Sequence, residues 1–341
     1  METVKAAKGG RPNARLRMGL VIAACLAGLI ALALPFVRDW DDIRQGFNDF
    51  PAFYLSPRLL GTGHLYDQTA FLAEQGRLLG RTSANIQFIR LPYFAVMLAP
   101  LSHLPYLAAY ALWQTLSIAA LAGFAWLWPA NRPLALIIIC WFLPVAANLA
   151  NGQDVAYILL WVAIAAALVR RGSNVGAGLM LALCAAKFHL FLFLPVLIVA
   201  KRMWRLGAGL AAGGAFLLAV SFLAAGWGWP AAWLQSIRSP LASPNLAKTS
   251  LVGLIAEAAH GPALWVIVGV LILLAGAIVY GLAQRSSFTL GLGAALVGGL
   301  IVAFHVYVQD YLLALPLILT LASGLVDRKG EPSLNSANVP G

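Results

Sequence analysis

The chain has 341 residues, of which 61% are hydrophobic and only 10% are charged. A soluble domain carries about 25% charged residues, so the composition excludes an ordinary soluble fold. The net charge of +11 would suggest nucleic-acid binding in a soluble protein, but here most basic residues lie in short segments between apolar runs, where they orient membrane spans. We therefore predict an all-α, polytopic membrane protein that binds no nucleic acid.

The N-terminal part of the chain predicts one span followed by a long outer loop. A basic N-terminal segment, residues 1–17, precedes an apolar run from Met18 to Val37. A cleaved signal peptide has a shorter apolar core and small residues at its exit, so this run predicts a first transmembrane helix with its N-terminus in the cytoplasm. The predicted outer loop, residues 38–104, carries six of the 12 acidic residues: Asp39, Asp41, Asp42, Asp49, Asp67 and Glu74.

Further apolar runs of membrane length follow, separated by Gly, Pro and basic residues. They are Pro105–Trp128, Pro133–Leu149, Gln153–Val169, Leu206–Gly226, Ala263–Ala283, Phe288–Val306 and Tyr311–Val326. Together with the first span they make residues 18–326 one transmembrane domain. Residues 227–262 are predicted to form a second outer loop, and residues 327–341 a disordered cytoplasmic tail.

Two apolar segments leave the topology open. Either Phe88–Leu101 crosses the bilayer and Val175–Ala200 is one helix, or the first only dips into the outer leaflet and the second is a hairpin with Lys187 at its apex. Both alternatives give about ten spans. The hairpin leaves more basic residues in the cytoplasm. It also brings the Lys187 ammonium to the interface, whereas a straight helix would hold it roughly 18 Å from either end, so the hairpin is favoured.

Two ionisable residues stand out by their surroundings. Asp49 lies among the aromatic residues of Phe47–Tyr54, which would withdraw its carboxylate from water and suit a general base; a solvated loop aspartate is the alternative. Lys187 is well placed to hold a lipid phosphate. The alternative is a structural pairing with Asp154 or with another helix end.

Other polar residues lie at predicted helix ends on the same outer face. Arg58 and Arg90 flank the apolar dip and could share the phosphate, although an interface anchor is the simpler role for each. Gln153 and Asp154 open a helix, where capping alone would explain the aspartate. Further candidates, each of which also has a structural explanation, are His189, His305, Tyr307 and Asp310.

The sequence offers no cofactor-binding motif. Glycine-rich phosphate loops, GxSxG, HExxH and paired CxxC motifs are absent. Cys25, Cys140 and Cys184 lie inside apolar runs without metal-ligand spacing. We therefore expect no cofactor and assign no metal ligands, with a requirement for a divalent metal left open.

Several short motifs, in this order along residues 45–325, resemble glycosyltransferase family 87. They are Asp49-Phe50 with Tyr54 and Gly61-Thr62-Gly63-His64-Leu65-Tyr66-Asp67, then Leu98-Ala99-Pro100-Leu101 with Leu104-Pro105, then Asn151-Gly152-Gln153, Arg170-Arg171-Gly172 and Ala177-Gly178-Leu179 before Lys187, and finally Ser250-Leu251 and the turn of His305, Tyr307 and Asp310. The chain departs from the family after the central lysine, where Phe188-His189 replaces a proline or small residue.

The resemblance implies a GT-C membrane fold and an inverting sugar transfer at the outer face of a bacterial cytoplasmic membrane. The donor would be a sugar, mannose first of all, on a polyprenyl phosphate, and the acceptor a hydroxyl of a glycolipid or glycan among the membrane lipids. Asp49 would be the catalytic residue, and Lys187 and His305 would bind the donor phosphate, which Arg58 could share by its position beside the apolar dip. The remaining candidates would bind substrate: Gln153, Asp154, Tyr54, Tyr307, Asp310 and His189.

A polyprenyl tail would need an apolar groove between helices, which we expect beside Phe88–Leu101. The main alternative function is a transporter or lipid flippase, although such proteins often show repeated halves that this chain lacks. A membrane transferase for acyl or phospho groups is another, but it would call for a His-Asp pair or an acidic metal cluster.

Overall fold

The computed structural model describes residues 14–82, 87–238 and 249–330. Outside the described residues lie residues 1–13 of the predicted basic N-terminal segment, residues 83–86 of the first predicted outer loop, residues 239–248 of the second, and the tail from residue 331. Within them all regular structure is helical, as predicted, and comprises 17 α-helices and two 3₁₀ segments. The last helix continues to Gly330, past the predicted start of the tail.

Fewer helices are long enough to span a membrane than the sequence predicts. Six described helical stretches are long and apolar enough to cross a membrane, or seven if one bent pair counts as a span. They are Met18–Arg38, Tyr106–Leu127, Asn174–Phe191, Trp204–Ala225, Gly261–Arg285 and Val308–Leu325. A multi-pass membrane protein is thus supported. The predicted total of about ten stays a prediction, because the other predicted crossings fall on shorter or broken helices.

The predicted outer loop, residues 38–104, contains four helices, α2 to α5, between α1 and α6. α1 (Ala14–Arg38) is followed by three helices before residue 80 and by α5, which ends shortly before α6. Their bounds are α2 Trp40–Arg44, α3 Phe50–Leu59, α4 Gln68–Leu79, α5 Pro92–Ser102 and α6 Tyr106–Leu127.

The middle of the chain contains a sharply bent pair. α7 and α8 meet at 60° because Phe142 is extended and Pro144, in the first turn of α8, lacks the N–H that would continue the helix. The predicted span Pro133–Leu149 is therefore a broken helix. The bounds in this part are α7 Arg132–Trp141, α8 Leu143–Asn151, α9 Val155–Arg170, α10 Asn174–Ala182, a 3₁₀ segment Leu183–Phe191 and α11 Leu194–Lys201.

Helices of the C-terminal part complete the bundle. α12 crosses beside α10, and α15 and α16 pack against each other and α11. The bounds are α12 Trp204–Ala225, α13 Trp229–Ile237, α14 Leu251–Ala258, α15 Gly261–Arg285, α16 Phe288–Val302, a 3₁₀ segment Val308–Ala314 and α17 Leu315–Gly330.

Residues 174–201 form the hairpin that the charge pattern favours. The backbone leaves helical geometry at Lys187, with φ −129° and ψ 49°. Gly209 of α12 packs on Val175, and Gly213 packs on Ala182, so α12 runs parallel to α10. Two helices can run parallel only if the chain returns to its starting side between them. α11 makes this return, which leaves Lys187 at the apex; we call this end of the bundle the site end.

Both ends of α5 lie near the site end, which favours the alternative in which this segment dips and does not cross. The backbone N–H of Tyr93 donates to Ser221 Oγ at 3.1 Å, and its hydroxyl donates to the carbonyl of Leu183 at 2.8 Å, four residues before the hairpin apex. Just past the other end of α5, the hydroxyl of Tyr106 donates to the carbonyl of Ile43 at 3.0 Å, in the segment that leads to Asp49.

Candidate active site

Ionisable side chains from five separate segments converge at the site end. Each belongs to a residue at a helix boundary or a break: Asp49 before α3, Arg90 before α5, Asp154 before α9, Lys187 at the hairpin apex and Asp310 in the second 3₁₀ segment. All of them except Asp49 are buried. Charged groups of this kind are costly to bury unless they are paired, so their mutual contacts decide what the site can do.

Two buried ion pairs form the centre of this charged cluster. The Arg90 guanidinium donates two hydrogen bonds to Asp154, from Nε to Oδ2 at 2.7 Å and from Nη2 to Oδ1 at 3.1 Å. Lys187 Nζ lies 2.5 Å from Asp310 Oδ1 and 3.7 Å from Asp154 Oδ1. Asp154 thus faces both cations and links the pairs. Its side chain does not cap α9; the Asn148 side chain accepts the N–H of Val155 instead, at 3.1 Å.

Asp49 is joined to this cluster through one amide. Gln153 Nε2 donates to Asp49 Oδ2 at 2.6 Å, and Gln153 Oε1 accepts from Arg90 Nη2 at 3.4 Å. Asp49 is only partly buried by neighbouring atoms. Withdrawal from water raises the pKa of its carboxyl, while the Gln153 hydrogen bond and the charges of Lys187 and Arg90 act in the opposite direction. A carboxylate with a raised pKa is a stronger base than a solvated one.

Backbone contacts fix Asp49 against the turn before α9. The N–H of Asp49 donates to the carbonyl of Asn151 at 3.0 Å, and the indole of Trp113 donates to the carbonyl of Gly152 at 2.9 Å. Gly152 has φ +65°, and a Cβ there would lie 2.8 Å from Cβ of Phe50. Only glycine allows both the turn and this close approach, which explains the glycine in the Asn151-Gly152-Gln153 motif.

The two histidines and Tyr307 flank the cluster. The rings of His305 and Tyr307 pack edge to face with centroids 4.5 Å apart, and the N–H of Tyr307 donates to Asp310 Oδ2 at 2.9 Å. His189 is half-buried two residues beyond Lys187, with its ring 6.0 Å from that of Phe188. Asp310 therefore has two roles: it caps the 3₁₀ segment and it pairs with Lys187.

Two predicted site residues have their contacts elsewhere. The guanidinium of Arg58 donates to the carbonyl of Ser102 and lies 5.5 Å from the Tyr54 ring centroid. The Tyr54 hydroxyl donates to the carbonyl of Leu104 at 2.8 Å. These contacts tie α3 to the end of α5 and do not reach the cluster, so for both residues the structure offers an anchoring role.

Arg90, and not Arg58, lies in the charged cluster. The interpretation of Arg90 as an interface anchor is wrong, because its side chain is buried and its guanidinium donates to both Asp154 and Gln153. No local signal in the sequence separates Arg90 from Arg58, because its partners Gln153 and Asp154 lie 63 and 64 positions away.

An open apolar groove of about 490 Å³ lies between α11 and α15. It is lined by Leu192, Phe193, Val196, Ile272, Leu273, Gly276, Ala277 and Tyr280. Beside α5, where a groove was expected, Tyr93, Phe94 and Ala95 are buried against neighbouring helices.

The fold and the site define a multi-pass helical membrane protein that collects its buried charges at one end of the bundle. The profile of glycosyltransferase family 87 matches residues 88–316, well over half of the chain. The protein belongs to this family and is a membrane glycosyltransferase. No curated protein and no solved structure matched the chain.

The family match covers most of the site residues, with one important exception. Arg90, Gln153, Asp154, Lys187 and Asp310 all lie within residues 88–316, whereas Asp49 lies before them. The place of Asp49 in the site therefore rests on its contacts with the matched part of the chain.

Proposed function

We propose that the protein transfers a sugar, mannose in the first instance, from a polyprenyl phosphate to a hydroxyl of a glycolipid or glycan. The reaction would take place at the outer face of a bacterial cytoplasmic membrane, with inversion at the anomeric carbon. The observation that carries the proposal is the link from Asp49 through Gln153 to the buried cations Arg90 and Lys187.

The roles in the reaction follow from this link. Asp49 takes the proton of the acceptor hydroxyl while the hydroxyl oxygen forms a bond to the anomeric carbon. The bond from that carbon to the phosphate oxygen breaks, and its electron pair leaves on the phosphate. Lys187, with Arg90 behind it, stabilises the departing phosphate charge. Asp49 and Lys187 belong to separate elements of the cluster, and inversion requires that the acceptor and the leaving group stand on opposite sides of the sugar.

The phosphate must share Lys187 with Asp310 in this proposal. In the structure the Lys187 ammonium already contacts Asp310, which is the structural role that the sequence also allowed. An ammonium has three donors, so it can keep this contact and add one to a phosphate oxygen. His305, beside Tyr307 and Asp310, is a second donor toward the same phosphate.

The groove between α11 and α15 fits the polyprenyl tail. Its first lining residue, Leu192, follows Lys187 by five positions on the returning arm of the hairpin. A lipid whose phosphate lies at the apex would therefore meet an apolar path that is open along the side of the bundle.

The test compares the wild type with Asp49→Asn. Purified protein is given a short-chain polyprenyl phosphate mannose and a panel of glycolipid acceptors, and sugar transfer is measured against pH. Loss of the base should lower kcat by about 10²- to 10⁴-fold. In the wild type the rate should fall as the pH falls through the raised pKa of Asp49, because protonation removes the base.

Asp42→Asn is the matched control, since Asp42 is an exposed aspartate of the same loop. It should keep the wild-type rate. Equal rates for Asp49→Asn and wild type would show that another residue acts as the base. Uptake of the labelled donor into vesicles without product would favour a transporter over a transferase.

A further inference from the structure

We propose that Gln153 is the positioning residue of this site: its side-chain amide ties the Asp49 carboxylate to the Arg90–Asp154 ion pair and sets the direction in which the base faces the acceptor. The inference rests on the proposed function, because it assigns how the general base of that reaction is held. It changes the role of Gln153 from contact with substrate to control of Asp49.

The amide of Gln153 has the right polarity for this task. Its Nε2 faces the Asp49 carboxylate at 2.6 Å and its Oε1 faces the Arg90 guanidinium at 3.4 Å. The reversed orientation would point a donor at the guanidinium and an acceptor at the carboxylate, so the two charged neighbours select one orientation. A group that both donates and accepts is needed here, and a glutamate in its place would face Asp49 with a like charge.

The backbone around Gln153 makes the link rigid. Its own N–H donates to the carbonyl of Asn148 at 2.9 Å, which closes the end of α8. The neighbouring carbonyl of Asn151 accepts the N–H of Asp49 at 3.0 Å. Asp49 is thus held by this turn through both its backbone and its side chain, and a carboxylate held at two points keeps one geometry.

The Gln153 side chain bonds to both Asp49 and Arg90. Other charged or titratable groups act on Asp49 from a greater distance. They come from four different elements and are Arg90, Asp154, Lys187 and Tyr307. A change at Gln153 should therefore alter the titration of Asp49 without removing any of these groups.

Two variants test the inference. Gln153→Glu places a second carboxylate next to Asp49, and Gln153→Met removes the hydrogen bond while it keeps the volume. A neighbouring negative charge and the loss of a donor both disfavour the ionised form. We expect the acid limb of the pH–kcat profile to move up by about one pH unit in Gln153→Glu and by less in Gln153→Met, with the KM for the donor unchanged.

Gln114→Met is the matched control. Gln114 is another buried glutamine whose amide donates to the carbonyl of Leu149 at 2.7 Å, in the same region, but it does not contact Asp49. Its loss should lower stability and leave the pH profile in place. A profile that moves equally in Gln114→Met and Gln153→Met would assign the effect to loosened packing and overturn the inference.

A second readout does not depend on transfer. The carboxyl stretch of protonated Asp49, identified in infrared spectra by its absence from Asp49→Asn, is titrated in wild type and in the Gln153 variants. A higher midpoint in both variants supports the link, and an unchanged midpoint overturns it. Failure of the wild type to transfer sugar would count against the proposed function alone, since the infrared midpoint still decides the role of Gln153.

Discussion

Arg90 and Asp154 show how a charged pair in the interior differs from one at the surface. Both side chains are buried, and their two hydrogen bonds replace the water that each has lost. Removal of one partner leaves the other charge uncompensated, at a cost of about 3–5 kcal/mol in known cases. The exposed pair of Arg44 and Asp41, 3.0 Å apart, is screened by water and should contribute about 0–1 kcal/mol.

We expect Arg90→Met to destabilise the protein by several kcal/mol and Arg44→Met by less than one. The free energy of unfolding in mixed micelles measures both. Addition of Asp154→Asn to Arg90→Met should recover part of the loss, because without Arg90 the single cation Lys187 faces both Asp154 and Asp310. If the double variant is less stable than Arg90→Met alone, the cost comes from packing and not from charge.

At the scale of helices, small residues decide how α10 and α12 meet. A Cβ on Gly178 would lie 2.1 Å from the carbonyl oxygen of Leu206, and one on Gly209 would lie 2.2 Å from that of Val175. The two backbones are therefore in direct contact, as is common between membrane helices that lack a hydrophobic driving force toward each other. This contact holds the rising arm of the hairpin, and with it Lys187, in place.

Gly209→Ala should push α10 and α12 apart and cost about 1–3 kcal/mol. Gly214 lies on the same helix with no neighbour within 4 Å of a Cβ, so Gly214→Ala should be neutral or slightly stabilising through its higher helix propensity. Thermal unfolding of the two variants in one detergent compares them directly. Equal melting temperatures would show that the helices can separate without loss.

At the scale of the whole molecule, the hairpin fixes which residues share a side of the membrane. Ser173 precedes α10 and Arg202 follows α11, and both are exposed. A hairpin places them on one side, whereas a single crossing would place them on opposite sides. The positive-inside rule predicts that this shared side is the cytoplasm.

Single cysteines at positions 173 and 202, in a background without native cysteines, test this topology. An impermeant maleimide applied to intact cells should label neither, and both should react once the membrane is opened. Thr62→Cys, in the exposed loop after α3, is the control that intact cells should label. Labelling of only one of the two positions in intact cells would instead indicate that residues 174–201 cross the membrane once.

The sequence by itself determined the class of the protein, because few charges, long apolar runs and their basic flanks leave a chain no alternative to the bilayer. It also marked three residues of the charged cluster, Asp49, Lys187 and Asp310, because an ionisable residue next to an apolar run is costly unless it is paired or functional. The motifs around Gln153 and Lys187 pointed to the family that the profile match confirms.

The tertiary structure decided which of these residues meet. Arg58 and Arg90 look alike in sequence, yet α3 directs Arg58 to the carbonyl of Ser102, and the entry into α5 directs Arg90 to Asp154. Local pattern cannot distinguish them, because the partners lie 44 and 64 positions away. A buried charge takes the partner that packing brings within reach, and that choice belongs to the folded chain alone.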